Sequence, residues 1–159
     1  MLNFAEAFFA VMTTISHPVI STTHGNDLRQ LFCLSEAVYF EASDQSILGK
    51  EAVAFVVKNR ADDKKTNYCK EISRPYQFSY KNDNAYQAKT LDLRNPHTVS
   101  KIKTVIYSAW RVQSGLEQDT TNKSTSYLNP KIATDFSWMN KLQKTVVIGD
   151  HHFYKKKLK

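Results

Sequence analysis

The stretch Leu34-Ser35-Glu36-Ala37-Val38-Tyr39-Phe40-Glu41-Ala42 constrains the fold most. On a helix, Leu34, Ala37 and Val38 form one apolar stripe, and Glu41 falls on that same stripe at i+7, i+4 and i+3. A carboxylate on the inward face of a helix is costly unless it is paired, hydrogen-bonded or protonated. Desolvation raises its pKa, and a raised pKa suits a general acid that must hold a proton near neutrality. A buried Glu paired with an Arg for structural reasons fits the same spacing, so periodicity alone leaves both readings open.

Other segments share the helical period. Residues 2–15, with Leu2, Phe4, Phe8, Val11, Met12 and Ile15, read as an amphipathic helix, and Ser16 to Asn26 reads as a loop. Asp27 is placed to cap the helix that carries Glu41. After a polar break at residues 42–46, a second helix is expected from Ile47 to Ala61, followed by a polar turn from Asp62 to Asn67. Arg74-Pro75 interrupts the chain again. Tyr76, Phe78 and Tyr80 then alternate, as half-buried core or as rings lining a groove, and a short helix from Ala85 to about Leu91 follows. Pro96 opens a helix over residues 98–114, where Ile102, Val105, Ile106, Ala109 and Val112 make a stripe and Gly115 stands at the C-terminal left-handed position. Ser124 to Leu128 and Thr145 to Ile148 are short β-branched runs that read as strands, with a helical turn around Phe136, Trp138 and Met139 between them. The expected fold is α+β, predominantly α-helical, with a small β element.

One domain is expected over residues 1–159, with an N-terminal helix and loop to residue 26, a core over 27–154 and a basic tail over 155–159. A composition of 42% hydrophobic and 23% charged residues supports a buried core and argues against disorder. The net charge of +7 points to an anionic partner, and Lys155-Lys156-Lys157-Leu158-Lys159 is its densest block, either a solvated tail or a contact to an anionic envelope surface. No nucleic-acid-binding motif is visible and the other basic residues are scattered, so nucleic acid is not expected as the partner. The first Lys or Arg is Arg29, which leaves the beginning without the basic start of a signal peptide. Cys33 and Cys69 are too few for a disulfide scaffold and lack the spacing of a zinc site. Cys33 reads as a small core residue, and a bond to Cys69 is left open.

Tyr39-Phe40-Glu41-Ala42, Gly49 and the run Ala52-Val53-Ala54-Phe55-Val56-Val57-Lys58-Asn59-Arg60 resemble the SleB/CwlJ-like cell wall hydrolases, the spore-cortex lytic enzymes with relatives among phage endolysins. Three later pieces agree in order: Gln77-Phe78-Ser79-Tyr80, Asp119 to Pro130, and Ile148-Gly149-x-His151-x-Phe153. The resemblance spans about Leu31 to Tyr154. It implies a lysozyme-like arrangement, with Glu41 catalytic and Gln77, Ser79, Thr121, Tyr127 and Asn129 binding substrate. His151 matches the closing His and reads as a packed, hydrogen-bonded residue. The sequence departs from the family at Gln45 and Leu48, where relatives carry acids, at Thr120 in place of Pro, at Asn122 and Lys123 in place of glycines, and at Tyr76 in place of a second Cys.

Glycoside hydrolysis commonly uses two carboxyl groups. Glu36, Asp44, Glu51 and Asp119 are the other acids in reach, and none forms a clear pair with Glu41; Glu51 reads as solvated. A single Glu acting first as acid and then as base suits a lytic transglycosylase. This enzyme cleaves between N-acetylmuramic acid and N-acetylglucosamine and lets the muramyl C6 hydroxyl attack C1. The expected activity is therefore peptidoglycan degradation of the endolysin type, on glycan strands, by a monomer without cofactor or metal. The expected setting is the bacterial envelope or periplasm, with synthesis in a host cytoplasm and release at phage lysis. A muramidase, an N-acetylmuramoyl-L-alanine amidase, or a non-catalytic basic module for envelope or nucleic acid are the alternatives.

Overall fold

The computed structural model describes residues 1–16, 25–87 and 89–159. The helices are α1 Phe4–Met12, α2 Gly25–Ala42, α3 Ile47–Asp63, α4 Tyr68–Ile72, α5 Ser79–Asn82, α6 Asn84–Gln87 and α7 Pro96–Gln113. The strands are β1 Ser126–Leu128, β2 Leu142–Ile148 and β3 His151–Lys156, with a 3₁₀ turn at Ser137–Lys141 between β1 and β2. The predominantly helical α+β expectation holds.

Local signals account for the helix ends. Asn3 and Glu6 form a reciprocal capping box at the start of α1. Ser46 caps α3 through the N–H of Gly49, and Pro96 occupies the first turn of α7. Gly115, at φ 77°, follows α7 in the left-handed conformation expected there. Of the loop expected over Ser16 to Asn26, residues 17–24 lie outside the described residues, while Gly25 and Asn26 already belong to α2. Asp27 is therefore inside the first turn rather than at the cap, where its charge still favours the helix N-terminus. The helix expected to run to Leu91 is only the single turn α6, and Leu91 instead bridges to Leu2.

α2 packs against α7, α3 and α4, and α1 lies on α7 and α2. α3 is buried on two sides. Val53, Ala54 and Val57 join the main core with Leu34, Val38, Ile102 and Ile106, while Ala52 and Val56 meet Ile148 and Phe153 of the sheet. This is why the α3 sequence shows apolar residues all round rather than a stripe. The strands are antiparallel in the order β1-β3-β2, so β3 is central. Neither β3 nor its reach into the tail was expected. His151, Phe153 and Tyr154 are buried, and Lys155 and Lys156 pair with Gln143 and Leu142, which confines any tail to residues 157–159.

Two small features of the backbone matter for the site. Asn122 at φ 54° and Lys123 at φ 63° stand in the left-handed conformation that glycine adopts most easily. Gly149, at φ 58°, makes the β2–β3 turn, and a Cβ there would collide with Gln45 Oε1. That Gln45 amide grips Asp150, accepting from its N–H at 3.1 Å and donating to its Oδ2 at 3.1 Å. Gly149→Ala is expected to cost about 2 kcal/mol, from left-handed strain and the displaced Gln45 bonds, measured as a shift of the urea midpoint at constant m-value.

Candidate active site

Glu41 lies in the last turn of α2, beside the 77–80 segment and β1. It is half-buried and lines a cleft of about 190 Å³ with Ser79, Tyr80, Tyr127, Asn129 and His151. The Tyr127 hydroxyl donates to Glu41 Oε2 at 2.8 Å. Burial pushes the Glu41 carboxyl above its ordinary value of 4.5, while the Tyr127 bond and the Arg60 charge pull it down without overcoming burial. Among the described residues no Lys or Arg stands within ion-pair distance of Glu41, so the structural Glu–Arg pair is not what is found.

The geometry around Tyr127 starts at the end of α3. Asn59, buried, donates from Nδ2 to Asp119 Oδ2 at 2.9 Å and to the carbonyl of Ser124 at 3.0 Å. Arg60 Nε donates to the carbonyl of Thr125 at 2.5 Å. These bonds fix the chain entering β1 and so aim Tyr127 at Glu41. Both residues close the apolar run of α3. Two polar side chains ending a run that is otherwise buried all round are the signal that could have singled them out.

The six residues expected at the site are not equivalent. Glu41, Ser79, Tyr127 and Asn129 share the cleft. Asn129 Oδ1 accepts the N–H of Lys131 at 2.9 Å, which shapes the turn after β1. Gln77 lines a neighbouring cleft with Arg60 instead. Thr121 is fully buried and does not reach either cleft. Its hydroxyl donates to Asp119 Oδ1 at 2.6 Å and it organises the loop. The motif was in register, but an Asp119-centred turn consumes the Thr.

The other acids are engaged elsewhere. Asp119 would be raised by burial, but bonds from Thr121, Asn59 and Lys123 outweigh this and hold it low. Glu36 pairs with Lys81 at 2.5 Å, and Asp44 pairs with Lys101. Glu51, expected to be solvated, is buried against Arg111 at 3.5 Å, because α3 is covered on that side by α7. Among the described residues Glu41 is the sole carboxylate lining its cleft.

His151 is buried, with its ring 5.1 Å from that of Tyr127. Its Nδ1 has no hydrogen-bond partner among the described residues, contrary to the bonded His expected, and burial lowers its pKa. Cys33 is also not a lone core thiol. It is bonded to Cys69, with the two Cα atoms 5.2 Å apart, which ties α4 to α2. Among the described residues no group of three His, Cys, Asp or Glu side chains is gathered as metal ligands would be.

Comparison with known proteins adds the family. The chain resembles the catalytic domain of the germination-specific lytic transglycosylase SleB from Bacillus anthracis. The two are 24% identical with a TM-score of 0.65, covering 84% of this chain and 100% of that one. The catalytic domain of the Bacillus cereus SleB protein is 25% identical with a TM-score of 0.62, covering 84% of this chain and 94% of that one. No curated protein matches the chain. The model of the family described as Cell Wall Hydrolase matches residues 44–154, a span that opens just past Glu41 and takes in Asn59, Tyr127 and His151. With most of its length matched, the chain belongs to the cell wall hydrolase family.

Proposed function

We propose that this enzyme degrades peptidoglycan as a lytic transglycosylase, cleaving between N-acetylmuramic acid and N-acetylglucosamine with Glu41 as acid and then base. The observation that carries the reading is the half-buried Glu41 carboxyl, the one such group lining its cleft among the described residues, with a raised pKa and a hydrogen bond from Tyr127. The fold shared with SleB catalytic domains supports it.

The chemistry follows from that setting. Burial keeps Glu41 protonated to a higher pH than an exposed Glu, so it can give its proton to the glycosidic oxygen. The carboxylate left behind meets the Tyr127 hydroxyl and the Arg60 charge. It then takes the proton of the muramyl C6 hydroxyl as that oxygen attacks C1, forming the 1,6-anhydro ring. The nucleophile is already part of the substrate, so no water has to be recruited and no second carboxylate is needed. Ser79 and Asn129, on the cleft wall, are in place to hold the N-acetyl groups. Phe40, stacked on Tyr80 at 4.7 Å, stiffens one side of the cleft.

A general acid must be protonated in the free enzyme, so kcat/KM falls as pH rises through the Glu41 pKa. The Tyr127 bond lowers that pKa. Tyr127→Phe is therefore expected to move the alkaline limb of the kcat/KM profile to higher pH and to lower the plateau roughly tenfold, since the carboxylate loses a charge-assisted partner. A profile of muropeptide release against pH measures both. A limb moving to lower pH would contradict the assignment.

A further inference from the structure

The larger cleft of the pair carries no assigned role. It measures about 350 Å³ and is lined by Arg60, Lys64, Arg74 and Lys156, with Asp63 the single carboxylate on its wall among the described residues. Lys64 and Arg74 are held from behind by Glu71, which is fully buried and accepts from Lys64 Nζ at 2.9 and 3.1 Å and from Arg74 Nη1 at 3.2 Å. Arg60 is the more telling member. It is half-buried, its guanidinium lies 5.1 Å from the Phe78 ring centre, and its bonds run to the carbonyls of Thr125 and Gln77. Among the described residues it has no carboxylate within ion-pair distance. A half-buried guanidinium with no carboxylate at ion-pair distance is only partly compensated, and one lining a polar cleft is suited to an incoming carboxylate.

The same two stretches of chain line both clefts. Gln77 lines one and Ser79 the other, and the chain passes from Ser126 at the basic cleft to Asn129 at the Glu41 cleft, roughly 10 Å of extended backbone. Resting on the peptidoglycan reading above, we propose that the basic cleft binds a free carboxylate of the stem peptide carried by the glycan strand, with Arg60 as the central contact and Lys156 at the rim. The wall's peptides are then part of what the enzyme recognises, and the sugar chain alone is a poorer substrate. An anion on Arg60 also relieves the downward pull that this cation exerts on Glu41, which favours the proton-bearing form once substrate is seated.

The test uses the full chain, labelled with ¹⁵N, and follows the Arg60 Nε–Hε resonance during titration with a disaccharide tetrapeptide. The acid form is expected to give a saturable shift. Amidating its carboxyl groups, or replacing Lys156→Gln in the protein, is expected to weaken binding roughly tenfold, the scale of one lost charge-assisted contact. In parallel, the wild-type enzyme digests strands with free, amidated or enzymatically removed peptides, and kcat/KM is expected to be about tenfold higher for the first. An Arg60 resonance that does not move, or moves equally with the amidated ligand, overturns the proposal, as does tighter response to poly(glycerol phosphate) than to the muropeptide. Cleavage of peptide-free strands without any Arg60 response would leave the glycosidase reading intact and remove only this subsite. Arg60 binding without cleavage of any strand would keep the subsite and remove the glycosidase reading.

Discussion

Glu41→Gln is expected to reduce cell wall cleavage by about 10²–10⁴-fold and, at neutral pH, to raise the unfolding temperature. The first effect follows because Gln keeps the shape and the Tyr127 contact but carries no transferable proton. The second follows from linkage. The folded pKa of Glu41 lies above its ordinary 4.5, so the folded state binds the proton more tightly than the unfolded chain does. Stability contributed by this group is present at low pH and is lost as pH rises through the raised value. Gln stays neutral and avoids that loss, so the gap between variant and wild type should close as pH falls below 4.5. Thermal scans at several pH values measure the second effect, and wall digestion measures the first. A variant that is inactive and also less stable at neutral pH would mean that Glu41 mainly holds the fold.

Loss of the Cys33–Cys69 bond is expected to have the largest effect on stability. The bridge closes a loop across a sequence separation of 36 residues. Loop entropy of that size corresponds to roughly 3–4 kcal/mol, or a drop of about 10 °C in Tm for a chain of this length. The Cys33→Ser, Cys69→Ser double variant and the reduced wild type should agree. The loss reaches beyond α4. This short helix carries Glu71, which holds Lys64 and Arg74 in the basic cleft, and Cys69 N–H also donates to buried Gln30 at 3.2 Å. A Tm unchanged by reductant would contradict the bridge's role.

Much of the helical frame was legible because each helix had a local signature. The α7 stripe ends on a left-handed Gly115, and the α2 stripe includes Glu41, so period alone put that carboxylate at a boundary between core and cleft. What the period could not say is which partner Glu41 meets. That depends on Tyr127, separated by 86 positions and aimed by bonds from Asn59 and Arg60. Strand β3 was missed because lysines end it and adjacent histidines begin it. Its apolar members, Phe153 and Tyr154, both turn out to be buried, which breaks the alternation expected of a strand with one wet face. Thr121 shows the converse. The motif was present, but a hydroxyl two residues after an Asp is as well suited to closing a turn as to meeting a sugar. Glu51 looks solvated among polar neighbours in sequence, yet it is buried against Arg111 of α7.

The departures at Gln45, Asn122 and Lys123 also find physical places. Gln45 binds Asp150 across the β2–β3 turn, a bond to the backbone N–H that an acid could keep but a side-chain pairing that an acid would turn into repulsion. Asn122 and Lys123 hold the left-handed turn that precedes β1. The backbone N–H groups of Thr121 and Lys123 both donate to the Asp119 carboxylate, which holds this turn.

A muropeptide digest resolved by mass spectrometry bears on the main claim most directly, because the product records which oxygen attacked the sugar. One carboxyl working as acid and then base, with no second acid lining its cleft among the described residues, predicts chains ending in 1,6-anhydro-N-acetylmuramic acid. Ends carrying a reducing N-acetylmuramic acid, or stem peptides released from intact glycan, would contradict it.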